Sequence, residues 1–76
     1  MNTSTRKKEI GLVISKKRNE LGLTQQEVAD ATGFSRNYIS DMENGRYAPS
    51  LDALSKLAVV LNIDLNFLRT MTEIQA

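Results

Sequence analysis

Between Ser35 and Asn44, the polar residues Arg36, Asn37, Ser40, Asp41 and Asn44 recur at spacings of three and four, with Ile39 and Met42 set between them. On an α-helix such spacing gathers the polar residues on one side and turns the apolar pair the other way. The polar set is rich in hydrogen-bonding geometry. A guanidinium is a planar fork of donors that spans two neighbouring acceptors, and a carboxamide offers a donor beside an acceptor. Arg36 is therefore suited to guanine O6 and N7, and Asn37 to adenine N6 and N7. Ser40 can add a contact to either kind of base. Asp41 can accept from cytosine N4 or orient Asn37 one turn back, although an anion there is repelled by phosphates.

Other chemistries have fewer groups to work with. The sequence contains neither cysteine nor histidine, so thiolate nucleophiles, imidazole bases, disulfides and the usual zinc ligands are excluded. The carboxylates are scattered along presumed exposed helix positions, and no glycine-rich loop could cradle a phosphate. An enzyme is not expected, nor a metal or any other cofactor. RNA recognition is disfavoured because the polar helix carries only Tyr38 as a stacking surface.

These side chains need a scaffold to hold them. Seventy-six residues make one domain, and a chain of this size buries only about 60% of the surface it exposes when unfolded. No apolar run approaches the roughly 20 residues that span a bilayer, and the polar, basic Met1–Ile10 has no hydrophobic signal segment after it. The expected location is the cytoplasm, at the nucleoid. The net charge is only +1, but Arg6, Lys7, Lys8, Lys16, Lys17 and Arg18 face the single acid Glu9 in the first 18 residues. That asymmetry suits an edge directed at a polyanion or, equally, a solvated first helix.

Periodicity predicts five short helices and no strand. The first runs from about Arg6 to Leu21 on a stripe of Ile10, Val13, Ile14 and Leu21, and Gly22 ends it. Arg18 falls on the same stripe and needs a carboxylate partner. Thr24, three residues before Glu27, forms the reciprocal cap of a second helix over Gln25–Thr32. Ser35 caps a third through Glu43, which Asn44-Gly45 stops. Ser50 opens a fourth, with Leu51, Leu54, Leu57, Ala58 and Leu61 inward, and Asp64 caps a fifth carrying Leu65, Phe67, Leu68 and Met71. The second and third helices are joined by only Gly33 and Phe34, which forces a steep crossing. That is the geometry in which a helix-turn-helix sets its second helix into the major groove of DNA.

Arg18, the run Leu21-Gly22-Leu23-Thr24-Gln25-Gln26-Glu27-Val28-Ala29, Gly33, Ser35-Arg36-Asn37-Tyr38-Ile39-Ser40, Glu43-Asn44-Gly45-Arg46 and Pro49-Ser50-Leu51 together resemble the Cro/C1-type (XRE) helix-turn-helix family. The resemblance spans about Arg18 to Arg69. It implies a compact, all-α, lambda-repressor-like domain covering residues 1–76, with the helix-turn-helix over about 24–44 and helices four and five over about 50–71. It further implies that Arg36, Asn37 and Ser40, with Asp41 beside them, read bases. Thr24, Gln25, Ser35, Tyr38, Asn44, Arg46 and Tyr47, with Lys17, then lie along the sugar-phosphate backbone, and Gln25 also buttresses the reading helix. Arg18 and Glu43 match a pair that is ion-paired inside the fold.

A module this small makes few base contacts, so useful specificity calls for two copies on a pseudo-palindrome with half-sites about 34 Å apart. The resemblance implies dimerisation through the last helices. Val59, Val60, Phe67, Met71 and Ile74 are the expected interface, although Phe67 could serve the core instead. The expected partners are an operator in double-stranded DNA, a second copy and, where the operator adjoins a promoter, RNA polymerase. A repressor or activator of the phage or restriction–modification controller type fits this set. The alternative is an antitoxin-like module that binds a protein and uses DNA only to regulate its own operon.

Overall fold

The computed structural model describes residues 3–73, with side chains for 6–68 and 70. Among these residues the chain forms five helices and no strand: α1 (Thr3–Glu20), α2 (Gln25–Thr32), α3 (Arg36–Glu43), α4 (Leu51–Leu61) and α5 (Leu65–Glu73). Their order and four of their starts agree with the capping signals. Asp64 Oδ1 accepts from the Asn66 amide at 2.8 Å at the start of α5. Ser35 Oγ accepts from the Tyr38 amide at 3.0 Å, and Ser50 Oγ from the Ala53 amide at 3.1 Å. Thr24 and Glu27 exchange both bonds of the reciprocal cap, which satisfies two amides that a helix start leaves without intrahelical partners.

The core draws on every helix. Ile10 and Ile14 of α1, Val28 and Ala29 of α2, Ile39 and Met42 of α3, Leu54, Leu57, Ala58 and Leu61 of α4, and Leu68 of α5 form one buried cluster. Each large side chain here contributes about 1.5–3 kcal/mol by leaving water.

Two stripe positions differ from expectation. Leu21 is exposed, because α1 stops at Glu20 and the chain reverses at Gly22, whose φ of 72° is a left-handed conformation that glycine adopts without penalty. The Leu23 amide then bonds Arg18 O and the Gly22 amide bonds Asn19 O. This closure swings Leu23, not Leu21, against the core. Leu51 is likewise exposed at the first position of α4, and Ala53 takes the inward place at that end. α1 also begins at Thr3, earlier than the expected Arg6.

Candidate DNA-binding surface

The sharp joint between α2 and α3 is built from backbone geometry and one buried hydroxyl. Gly33 sits at φ 83° and ψ 6°, and its amide bonds Ala29 O at 2.9 Å. Thr32 is buried. Its hydroxyl donates to Val28 O at 2.8 Å and accepts from the Phe34 amide at 3.3 Å, tying the end of α2 to the start of the turn. Sequence reasoning missed Thr32, because a threonine at the end of a helix gives no sign of its partners.

A second device fixes the angle of α3. Arg18 Nε donates to Glu43 Oε2 at 2.7 Å and Arg18 Nη2 to Glu43 Oε1 at 3.0 Å, with both side chains largely buried. Arg18 Nη1 bonds Leu23 O at 2.8 Å, and Gln25 Nε2 reaches Glu43 Oε1 at 3.0 Å. One carboxylate at the end of α3 therefore binds α1 and the first residue of α2, and the arginine it holds binds the loop between them. Its hydrogen bond raises the Arg18 pKa, burial opposes the rise, and the charge of Glu43 adds to it. The cation stays charged throughout the physiological range. The carboxylate, set unfavourably at the negative end of a helix, is compensated there. Sequence periodicity marked Arg18 as needing a carboxylate, the family resemblance pointed to Glu43, and the structure joins the two.

With that frame in place, Ile39 and Met42 are fully buried while Arg36 and Asn37 project outward from the first turn of α3. Arg36 borders an open cleft together with Arg18, Asn19, Leu23, Thr24 and Gln25, so the starts of α2 and α3 share one surface. The Thr24 and Ser35 hydroxyls accept bonds from helix amides, and each keeps its own proton to donate. Gln25 Nε2 spends one N–H on Glu43 and retains a second. Ser40 and Asp41 are half-buried one turn on; Asn44 Nδ2 lies 3.4 Å from Ser40 Oγ, and Arg46 Nη1 lies 2.9 Å from Asp41 Oδ1.

The model of the helix-turn-helix family HTH_3 matches residues 14–68. The chain belongs to this family. It is 54% identical, over 90% of its length and 74% of the relative's, to the ImmF control region 10 kDa protein of Bacillus phage phi105. It is 39% identical to an HTH-type transcriptional regulator of Sinorhizobium fredii, over 88% of this chain and 87% of that protein. Against the immunity repressor protein of Bacillus phage phi105, the identity is 39% over 75% of this chain and 40% of the repressor. The fold is that of the clp gene regulator ClgR from Corynebacterium glutamicum, with a TM-score of 0.79 and 24% identity over 87% of this chain and 70% of that one. Helix-turn-helix domains are DNA-binding modules and not enzymes, in line with the resemblance drawn from the sequence.

Within the HTH_3 domain an aromatic row supports α3. Phe34 meets Tyr38 edge-on at 5.0 Å, Tyr38 lies 6.2 Å from Tyr47, and Lys56 Nζ stands 5.3 Å above the Phe34 ring. Tyr38 is half-buried, serving packing and surface together, and Tyr47 is exposed. The basic residues of α1 divide. Lys8, exposed, has its backbone against Gly45: a Cβ on that glycine would lie 3.1 Å from Lys8 Cα. Lys17 instead lines a depression with Val13, Lys16, Glu20 and Asn62–Asp64, none of them on α2 or α3, and lies 3.9 Å from Glu20. Of the expected dimer residues, Val59 and Phe67 are exposed and Val60 is half-buried, so Phe67 does not join the core. The Met71 and Ile74 side chains lie outside the described residues. Among those residues no helix is long and apolar enough to cross a membrane, and no carboxylate cluster could hold a metal ion.

Proposed function

We propose that this chain is a sequence-specific, double-stranded-DNA-binding transcriptional regulator that acts as a homodimer on a pseudo-palindromic operator. One observation carries the reading: α3 buries Ile39 and Met42 completely and presents Arg36 and Asn37 to solvent, at a crossing locked by the Arg18–Glu43–Gln25 network. The major groove is wide enough to admit such a helix, and each base pair shows it a distinct donor and acceptor pattern.

In this reading Arg36, Asn37 and Ser40 meet base edges, while Thr24, Gln25, Ser35, Tyr38, Asn44, Arg46 and Tyr47 follow the sugar-phosphate backbone. Lys17 faces the α4–α5 connection, and Lys8 beside Gly45 takes its place on the phosphates. Val59 and Val60 of α4 and Phe67 of α5 supply apolar surface for the second copy, and Met71 and Ile74 are assigned to the same interface from the sequence alone. The names of the two phage relatives, a control-region protein and an immunity repressor, favour a phage-type repressor over a restriction–modification controller. Repression would follow from occluding RNA polymerase at an overlapping promoter, on the nucleoid in the cytoplasm.

The test is selection of bound sequences from a pool of random duplexes, run in parallel with the parent protein and Arg36→Ala. The parent is expected to enrich an inverted repeat, and the variant to lose preference at one base pair in each half-site, worth about 1–3 kcal/mol. Equal enrichment of one motif by both proteins would remove α3 from the reading role.

A further inference from the structure

We infer that Asp41 is a positioning residue: it holds the guanidinium of Arg46 in the orientation that meets a DNA phosphate, and does not itself read a base. The inference rests on the DNA-binding role proposed above and assigns Asp41 a task within it.

Two bonds tie Asp41 to Arg46 at both ends of the arginine. The Arg46 amide bonds Asp41 O at 2.9 Å, closing the end of α3 through Gly45, and Arg46 Nη1 bonds Asp41 Oδ1 at 2.9 Å. The exposures are unequal: the Asp41 side chain is 25% exposed and that of Arg46 is 70%. The carboxylate therefore lies on the protein side of the guanidinium. A guanidinium has five N–H donors and this contact uses one, so the others remain for an outside acceptor.

A carboxylate near the C-terminus of a helix and close to phosphates is unfavourable on two counts, by the helix dipole and by direct repulsion. The Arg46 contact answers both. It also restricts a long side chain that would otherwise lose its rotamer freedom on binding DNA. Asp41 Oδ1 is engaged before any base approaches, which separates Asp41 from the free groups of Arg36 and Asn37.

The experiment is a double-mutant cycle of full-length parent, D41A, R46A and D41A/R46A. Each is titrated over a range of salt against a fluorescent duplex recovered from the random-pool selection and against a scrambled duplex. Circular dichroism verifies that every variant is folded. D41A is expected to weaken binding to the selected duplex about two- to tenfold, the scale of ordering one flexible side chain. R46A is expected to weaken it more and to flatten the log-log salt slope by about 0.9, one phosphate contact. In the R46A background, D41A is expected to cause no further loss. D41N keeps an acceptor oxygen for Arg46 and should lose less than D41A.

Four results would overturn the inference. A D41A loss that persists undiminished in the R46A background would mean Asp41 acts elsewhere, and loss confined to one base pair would make it a reader. Tighter binding of D41A to both duplexes would make Asp41 an electrostatic brake. A parent protein that does not distinguish the two duplexes would sink the DNA-reading role itself, and the inference with it.

Discussion

Gly11 lies in the middle of α1, where glycine is a poor helix former, and its placement answers to α3. A Cβ at this position would stand 2.5 Å from Met42 O, 2.6 Å from Glu43 O and 2.9 Å from Glu43 C. Ordinary contact begins at 3.4 Å, so with 2.5 Å available in Gly11→Ala the two helices must part by about 0.9 Å at their crossing. The obstacles are backbone atoms with no rotamer to yield, which places the cost near the upper end of the roughly 1–3 kcal/mol typical of overpacking. Alanine returns about 0.8–1 kcal/mol in helix propensity. The net expectation is a loss of about 2 kcal/mol, or a fall in Tm of about 8–16 °C for a domain of this size. Thermal unfolding followed by circular dichroism measures it. The same displacement shifts Glu43 against Arg18, so affinity for duplex DNA should also fall at temperatures where the variant is fully folded. A Tm equal to or above that of the parent would show that propensity outweighs the contact and would refute the close approach of α1 to α3.

Glu43→Gln keeps the shape of the side chain but leaves the largely buried Arg18 cation without a counter-charge. A loss of about 2 kcal/mol is expected, below the 3–5 of outright deletion because the amide oxygen still accepts a bond; an unchanged Tm would remove the pair from the stability of the fold. Lys8→Gln should flatten the salt dependence of DNA binding by about 0.9 in log-log slope, whereas Lys17→Gln should leave it as it was. The opposite ranking in salt titrations would return Lys17 to the DNA surface. Phe67→Glu places a charge on an exposed apolar position of α5 and should convert the proposed dimer to monomer in sedimentation equilibrium. A dimer of undiminished affinity would move the interface elsewhere.

The features legible in the sequence are those whose physics is local. Thr24 with Glu27, Ser35 and Ser50 announce helix starts because each cap closes within three residues, while the end of α2 follows from Gly33. The Arg18–Glu43 pair spans 25 residues, yet a cation on an otherwise apolar stripe is itself a demand for a distant carboxylate. Leu21 and Leu51 are exposed although their spacing places them inward, because periodicity extends a face past the point where the chain leaves it. At both places the cap decides: Gly22 carries Leu23 inward, and Leu51 stands at the first position after Ser50. Gly11 carried a signal in its helix-propensity cost, but the partner it admits, the end of α3, exists only after the helices cross.

The candidate DNA-binding surface is less legible than the core for a related reason. Its residues are exposed, so burial does not constrain them, and their roles are set by neighbours that folding supplies. Lys8 and Lys17 are the same residue type on the same helix, and nothing in composition separates them; the approach of Gly45 to one and of Asn62–Asp64 to the other does. Asp41 shows the intermediate case. The sequence marks it as an anomaly, an anion on a face meant for DNA. Its resolution is nearly local as well, because a helix closed through a glycine at the C′ position brings the amide of the next residue back to the carbonyl five positions earlier. Asn44-Gly45 therefore sets Arg46 over Asp41 by backbone geometry alone, and a guanidinium placed there finds the carboxylate within reach. Where a helix of this kind ends in such a turn, an acid five residues before an arginine is first a partner of that arginine, and its charge belongs to the protein's own surface before any base pair is met.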